Sequence, residues 1–338
     1  MSKKRLVTVL CSLAFAVAIA SEARAADHKV LVSGLDNPTG VAVQPGTGHV
    51  FIASHAGVHR LDPASGKITA EITGYPDPTD VYGKGPKYPI GPLGVAFLDA
   101  EHLVVGGGSR KDGEELVRVY HVGTEPKEQQ EADAVKTLGP IKPSDETIKG
   151  EGNFYGIAVV GGAIYVTCNG DDTKGWVAKA TQKDGKWSKL RLAIATKEAT
   201  EVDAPGPVSA SKNGKAVVVG QIGEVTVEGD SLLTFYSAKG KLQRKLTTTL
   251  NDIAGIAYSK SGKLYATDFS WVDAGKGALY QLMPGKKDST AAKSKKILDL
   301  DKPTGIAFGE DGTAYIAVFG TVKDDGKPAG TIIAVSGL

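Results

Sequence analysis

The stretch Leu35-Asp36-Asn37-Pro38-Thr39-Gly40-Val41-Ala42-Val43 recurs near the far end of the chain as Leu300-Asp301-Lys302-Pro303-Thr304-Gly305-Ile306-Ala307-Phe308. Six of the nine positions are identical, and four shorter copies lie between them, at residues 94–97, 156–159, 207–210 and 255–258. The segment that these six anchors share begins at positions 40, 94, 156, 207, 255 and 305, which are 48 to 62 residues apart. A repeat of this length, holding four short strands, is typical of a propeller blade. The sequence therefore predicts an all-β fold, a six-bladed β-propeller of four-stranded antiparallel blades.

The first β-rich run of the mature chain predicts how the ring closes. Residues 29–32 lead into the first anchor without partner strands before them, as residues 296–298 lead into the last anchor. Residues 331–335 would form the third strand of the last blade. We expect the N-terminal run to pair with it as the outer strand, which leaves no open sheet edge at the seam.

The first 25 residues have the pattern of a cleaved export signal. Lys3, Lys4 and Arg5 precede a mainly apolar run to Ala20, and an Ala-Arg-Ala sequence ends at Ala25. The run is short for a membrane span, so we expect no membrane insertion. The prediction is a signal peptide at 1–25, a single propeller domain at 26–338, and a periplasmic or extracellular location.

The charge of the mature chain argues against nucleic acid as a partner. Residues 1–25 hold four of the 40 basic and one of the 38 acidic residues, which leaves 36 against 37. A nearly neutral chain with interspersed charges has no basic footprint for a polyanion. We expect a monomer.

The loops predict which face of the ring is functional. Loops that join the first and second strands of each blade are short and marked by glycine, as at residues 45–48 and 261–262. Loops that join the second and third strands are long in five blades, and the connections at 74–92 and 139–155 are enlarged on the same face. Growth on one face favours binding there, although loop length can also drift without function. The partner predicted for this face is a protein, a peptide, or a small-molecule or glycan ligand.

Blade one resembles an NHL repeat, in its Asn37-Pro38-Thr39-Gly40-Val41-Ala42-Val43 start and its Gly48-His49-Val50-Phe51-Ile52-Ala53 second strand. The sixth blade is similar. The resemblance implies a six-bladed propeller like those of the senescence marker protein/gluconolactonase group, in which a central divalent metal serves lactone or phosphoester hydrolysis. That group implies a carboxylate or carboxamide directly before the anchor glycine. Here those positions hold residues that do not supply this ligand set: Thr39, Leu93, Tyr155, Gly206, Ala254 and Thr304.

Oxygen donors that lie slightly earlier in the chain are the metal candidates of this sequence. They precede the anchors of three blades, at Asn153, Asp203, Asn251 and Asp252. No cofactor is otherwise indicated, and hard oxygen ligands of this kind suit Ca²⁺.

Other polar and aromatic residues of the long-loop face are ligand-binding candidates. His55 belongs to a His-x-x-x-His pair that crosses a strand turn, and Asp171 to an Asx-rich loop at 169–173 for which turn formation alone is a sufficient explanation. The remaining candidates are exposed charged or aromatic residues on equivalent loops, which suit a binding rim: Arg110, Tyr155, Glu224, Asp268 and Trp271.

Three functions follow from these patterns. The leading interpretation is an exported NHL-like propeller that acts as a ligand- or protein-binding scaffold through its long-loop face. The alternative is a divalent-metal-dependent hydrolase or lyase of the gluconolactonase type with an axial metal site. A redox propeller that uses a quinone is the third, without a residue pattern of its own.

Overall fold

The computed structural model describes residues 26–77, 81–82, 88–171, 173–324 and 326–338. Six small antiparallel sheets stand around a central axis, which confirms the predicted six-bladed propeller. The predicted signal peptide at 1–25 lies outside the described residues. None of the helices in the described ranges has the length and apolarity that a bilayer-spanning helix requires.

The strands of each blade follow one another outward from the axis. In blades one to three, inner to outer, they are β2 Val41–Val43, β3 Val50–Ser54, β4 Gly57–Leu61 and β5 Ile68–Thr73; β8 Val95–Phe97, β9 His102–Gly106, β10 Val117–His121 and β12 Lys136–Leu138; and β13 Ile157–Val160, β14 Ala163–Thr167, β15 Trp176–Lys183 and β17 Arg191–Ala195.

The second half of the ring repeats this order. In blades four to six the strands are β18 Pro205–Ala210, β19 Ala216–Gln221, β20 Leu232–Ser237 and β21 Leu242–Thr247; β22 Ile253–Tyr258, β23 Leu264–Asp268, β24 Ala278–Met283 and β25 Lys293–Asp299; and β26 Pro303–Phe308, β27 Ala314–Val318, β28 Gly330–Ser336 and the N-terminal β1 Asp27–Leu35.

A few short strands and helices are added to the six four-stranded blades. Blade one gains a parallel fifth strand, β11 Gln129–Gln130, and blade three gains β16 Lys186–Trp187. Two-residue strands β6 Val81–Tyr82 and β7 Tyr88–Pro89 form a hairpin between blades one and two. The helices are α1 Thr196–Thr200 and 3₁₀ turns at Glu131–Asp133 and Ala274–Lys276. The prediction of four strands per blade is therefore correct for four blades and one strand short for two.

The N-terminal strand closes the ring as predicted. β1 pairs with β28 along its length, from Asp27 opposite Ser336 to Leu35 opposite Gly330. The seam between blade six and blade one is a packed interface in which Tyr315 and Ile332 meet Val50 and Ile52. Five similar apolar clusters join the other neighbouring blades, so the core is a set of six inter-blade layers.

The anchor glycines are explained by how closely the inner strands approach one another. A Cβ atom at Gly40 would lie 2.4 Å from the carbonyl oxygen of Leu93, and one at Gly94 would lie 2.3 Å from that of Tyr155. Real Cβ atoms do not make such contacts, so any side chain would push neighbouring blades apart at the axis. The glycine of the repeat is therefore required by the packing of blade against blade.

Candidate ligand pocket at the mouth of the axial channel

A pocket opens at the axis on the long-loop face. Its walls come from the loops after second strands and from the connections that enter the inner strands, the two loop sets that the sequence singles out. Its volume is about 610 Å³, which includes open solvent at the mouth. The aromatic lining residues are Tyr88, Tyr155, Phe269, Trp271 and Phe319; the aliphatic ones are Ile90, Leu93, Ile222 and Ala254; the polar ones are Thr39, Asn153, Asn169, Asp252 and Thr304.

The repeat itself explains why these residues meet. The residue directly before each anchor faces the axis, and five of the six such residues line the pocket: Thr39, Leu93, Tyr155, Ala254 and Thr304. None carries a carboxylate. The Thr39 and Thr304 hydroxyl groups instead donate to backbone carbonyl oxygens of the neighbouring blade, at Leu93 and Pro38, each at 2.9 Å.

Four aromatic rings form one wall of the pocket. The Phe269 and Trp271 ring centroids are 4.6 Å apart, and Phe319 lies 5.0 Å from Tyr88 in an edge-to-face contact. Tyr88 also reaches Trp271, at 5.7 Å. Such contacts hold rings in place, which makes the wall a preorganised apolar surface.

Tyr155 forms the floor of the pocket. Its hydroxyl group donates a hydrogen bond of 2.7 Å to the carbonyl oxygen of Ala254, two blades away across the axis. Beneath it the channel is lined by apolar residues that directly follow each anchor position, namely Val41, Val95, Ile157, Val208, Ile256 and Ile306. The mouth pocket is thus a cup that adjoins an apolar channel, and Thr39, Tyr155 and Ala254 line both.

Asp252 is the carboxylate of the cup. Its side chain is 2% exposed, and its Oδ2 accepts a hydrogen bond of 2.7 Å from the Trp271 backbone N–H. Its Oδ1 has no hydrogen-bond partner among the described residues. Burial raises the pKa of Asp252 to about 7, and the nearby charges of Asp268 and Asp230 add to the rise, while the Trp271 hydrogen bond opposes it.

Asp268 fixes the backbone that carries Asp252. Its two carboxylate oxygens accept the backbone N–H groups of Asn251 and Asp252, at 2.9 and 2.8 Å. The side chain is buried at the end of β23 and does not line the pocket. Asp268, predicted as a ligand-binding residue, therefore does not contact the pocket. It holds the backbone of Asn251 and Asp252 in place.

Two carboxamides complete the polar part of the cup. Asn153 occupies the place in blade three that Asp252 occupies in blade five, and it takes a left-handed backbone conformation with φ of 46°. Asn169 donates from Nδ2 to the Pro205 carbonyl oxygen at 3.1 Å. Asn153 stands on the connection that enters the inner strand β13, and Asn169 on the loop after the second strand β14, and both line the same pocket as Asp252.

The four predicted metal ligands do not come together. Asn153 and Asp252 line the pocket, but Asp203 pairs with Lys197 at 2.6 Å, and Asn251 accepts the Gly229 N–H at 3.0 Å. Across the described part of the chain, no group of three or more His, Cys, Asp or Glu side chains is arranged to hold a metal ion. The local hydrogen bonds of Asp203 and Asn251 are the physical reason, since they turn both side chains away from the axis.

The ligand-binding candidates divide in a similar way. Tyr155 and Trp271 line the pocket, whereas the other candidates are engaged in local contacts. His55 Nδ1 lies 2.7 Å from Asp36, and Arg110 makes a two-pronged ion pair with Glu131 at 2.5 and 2.7 Å.

Asp171 and Glu224 belong to the folding of their own loops. Asp171 accepts the backbone N–H groups of Lys149 and Thr173, and the Glu224 backbone N–H donates to Asp230. Burial acts to raise the pKa of Asp171, but these hydrogen bonds lower it below its ordinary value, as expected for a turn-forming carboxylate. Asp172, the other acid of this loop, lies outside the described residues.

Ile222 and Phe319 were missed from the sequence, whereas Phe269 belongs to the segment 268–273 from which Asp268 and Trp271 were chosen as candidates. Ile222, Phe269 and Phe319 each follow directly after the second strand of their blade, at equivalent positions of blades four, five and six. Aligning the repeats on the ends of the second strands, in addition to the anchors, would have found them.

No family model matches the chain, and no curated protein sequence is detectably similar to it. Solved structures with the same architecture include an aldose sugar dehydrogenase from Streptomyces coelicolor in a PQQ-bound form, with 16% identity, 94% of this chain and 100% of that chain covered, and a TM-score of 0.59. A gluconolactonase from Xanthomonas campestris matches with 11% identity, 94% and 92% coverage, and a TM-score of 0.57. The soluble aldose sugar dehydrogenase from Escherichia coli matches with 14% identity, 92% and 99% coverage, and a TM-score of 0.60.

The chain has the fold of these propellers. At such low identity the likeness establishes the fold and no activity. It agrees with the six-bladed propeller fold that the repeat motifs imply.

The pocket residues do not fit either group that these relatives suggest. A divalent metal needs several hard oxygen ligands. The described lining offers one carboxylate, of which one oxygen already accepts the Trp271 N–H, and two carboxamides, of which Asn169 is held by its hydrogen bond to the Pro205 carbonyl oxygen. PQQ carries several carboxylate groups, and no Arg, Lys or His side chain is among the described lining residues to pair with them. The chemistry of the pocket is therefore assigned to its own side chains, without a metal or a quinone.

Proposed function

We propose that the protein is a small-molecule hydrolase that opens a ring ester, a lactone, in the mouth pocket, with Asp252 as general base and general acid. One observation carries the proposal: a buried carboxylic acid with a pKa of about 7 and one oxygen without a partner among the described residues stands in a preformed apolar cup. A group with a pKa near neutrality is suited to both taking up and returning a proton.

The reaction follows from the placement of these groups. With the lactone ring in the cup, the Asp252 carboxylate takes a proton from a water molecule as the water oxygen bonds to the ester carbonyl carbon. The carbonyl oxygen gains negative charge, and we assign the Asn153 amide, which lines the same cup, as its hydrogen-bond donor. When the bond from this carbon to the ring oxygen breaks, Asp252 returns the proton to the leaving oxygen. The product is an open-chain hydroxy acid, and the carboxylate is restored.

Two features support hydrolysis over other reactions of this site. Water and one proton-exchanging group are sufficient for the opening of a lactone, so the reaction requires no donor set beyond the one present. Propellers of the same fold include a gluconolactonase and a putative gluconolactonase.

The scaffold interpretation from the sequence is less well supported than this enzymatic one. The site on the long-loop face is a concave, largely apolar cup, whereas protein partners generally need a broad surface. Export through the predicted signal peptide remains part of the proposal and would place the hydrolysis outside the cytoplasm. A monomeric state also remains part of the proposal.

The test is whether the protein hydrolyses any of a panel of lactones. Hydrolysis is monitored as the release of acid in weakly buffered solution. Asp252→Asn preserves an acceptor for the Trp271 N–H and removes the base, so we expect the rate to fall by about 10²- to 10⁴-fold. Asp301→Asn, an exposed carboxylate on the neighbouring blade, is the matched control and should retain the wild-type rate. Retention of activity in Asp252→Asn, or no activity on any lactone, would contradict the proposal.

A further inference from the structure

We infer that the substrate is a lactone with an apolar or aromatic body, and that the pocket discriminates against sugar lactones. That the substrate is a lactone rests on the proposed function. That its body is apolar rests on the residues that line the pocket. The inference separates this protein from the sugar-acting propellers whose fold it shares.

The first argument is how few polar groups the cup offers. Nine of the fourteen described lining residues are aliphatic or aromatic. The two threonine hydroxyl groups and the Tyr155 hydroxyl group donate to backbone carbonyl oxygens. Asp252 and the two asparagines are the remaining polar side chains of the described lining, and these suffice for one ester group.

The second argument is the cost of placing a sugar in such a site. A sugar lactone carries hydroxyl groups around most of its ring, and the described lining cannot meet all of them. Each hydroxyl group that loses water without gaining a partner lowers affinity by about tenfold to a hundredfold. An alkyl or aryl body gains affinity instead, because its apolar surface leaves water.

The third argument is that the apolar wall is built by several independent elements. Phe269 and Phe319 follow second strands of blades five and six, and Ile222 does so in blade four. Tyr88 comes from the hairpin between blades one and two. The ring contacts of 4.6 to 5.7 Å among Phe269, Trp271, Phe319 and Tyr88 make one continuous surface from these elements.

The experiment compares lactones that differ in their substituents. Rates are measured for δ-gluconolactone, δ-decalactone and dihydrocoumarin, and binding of dihydroquinolinone, the lactam that mimics dihydrocoumarin without being hydrolysed, is followed by tryptophan fluorescence and calorimetry. We expect kcat/KM for the two apolar lactones to exceed that for gluconolactone at least about tenfold, and the lactam to bind.

Variants of the aromatic wall test the same point. Trp271→Ala should raise KM for the apolar lactones about tenfold while leaving the pH dependence of the rate unchanged, and Trp271→Phe should restore most of the loss. Trp187→Ala removes a tryptophan that lies outside the pocket, on the outer hairpin of blade three, and should leave KM unchanged.

The outcomes separate the inference from the proposed function. Asp252-dependent hydrolysis that prefers gluconolactone would overturn the inference and keep the function. Binding of the lactam without turnover of any lactone would support the inferred ligand class and overturn the hydrolase. Failure of every apolar probe to bind would overturn the inference whatever the enzyme activity.

Discussion

The Tyr155 hydroxyl group donates a hydrogen bond of 2.7 Å to the Ala254 carbonyl oxygen and so joins blade three to blade five across the axis. Asn153 lies two residues before Tyr155, and Asp252 lies two residues before Ala254. The bond therefore ties together the two backbone segments that carry the polar groups of the cup. Tyr155 and Ala254 line both the cup and the adjoining apolar channel.

Tyr155→Phe should weaken both stability and ligand binding. Loss of the hydrogen bond, with the Ala254 carbonyl oxygen left unpaired near the axis, should cost about 1–2 kcal/mol of unfolding free energy. The floor then loosens, and KM should rise. Thermal unfolding and steady-state kinetics measure the two effects.

Tyr165→Phe is the matched control for this prediction. Tyr165 makes the same kind of bond, to the Ala238 carbonyl oxygen at 3.1 Å, but does not line the pocket. It should lower stability comparably and leave KM unchanged. Equal kinetic effects of the two substitutions would show that Tyr155 has no special role in the site.

The pH dependence of the rate should report Asp252. Because the base must be ionised, kcat/KM should rise as pH increases through about 7 and level off above it. The charge of Asp230 contributes to the raised pKa of Asp252, so Asp230→Asn should make ionisation easier and move the rise to lower pH. A pH–rate profile of both proteins measures the shift, and a shift to higher pH in the variant would contradict the assignment of the base.

Glu151 should make the protein less stable as pH rises from about 4.5 to 7. Its side chain is fully buried, and burial raises its pKa to about 7, although the Thr147 hydroxyl group opposes the rise. The folded state then holds a proton that the unfolded state releases, so the contribution to stability is present at low pH and lost through pH 7. Glu151→Gln should be about 1–3 kcal/mol more stable than wild type at pH 8 and nearly equal to it at pH 5.

Denaturant unfolding at the two pH values measures this difference. Glu146→Gln serves as control, because Glu146 is exposed and paired with Lys174, and its effect should be small at both pH values. A stability gain for Glu151→Gln that is equal at pH 5 and pH 8 would exclude a titrating buried carboxylate as its cause.

Removal of β1 should open the ring. A chain that starts at residue 36 lacks the strand that pairs with β28, which exposes that sheet edge and uncovers the seam between blades six and one. We expect loss of cooperative unfolding or aggregation, measured by circular dichroism and size-exclusion chromatography, while a chain that starts at residue 26 should behave as a closed domain. Cooperative folding of both chains would contradict the closure.

The repeat explains how much of the site could be predicted. Gly40 and Gly305 mark inner strands, and counting back from such anchors identifies the axis-facing residues, among them Tyr155. Trp271 was also found, from its long loop. Asp203 and Asn251 show the limit, because each is close to an anchor in sequence and is turned away by a local partner, Lys197 or the Gly229 N–H.

The sequence by itself determined the number of blades, the strand order and the closure by β1, because anchor spacing and strand periodicity are local properties of the chain. Only the tertiary structure decided which loop residues share one cup. Asp252, Asn153 and Phe319 come from three blades, and their meeting depends on ring curvature and on hydrogen bonds such as that between Tyr155 and Ala254. The raised pKa of Asp252 is likewise tertiary, since it arises from burial among residues distant in the chain.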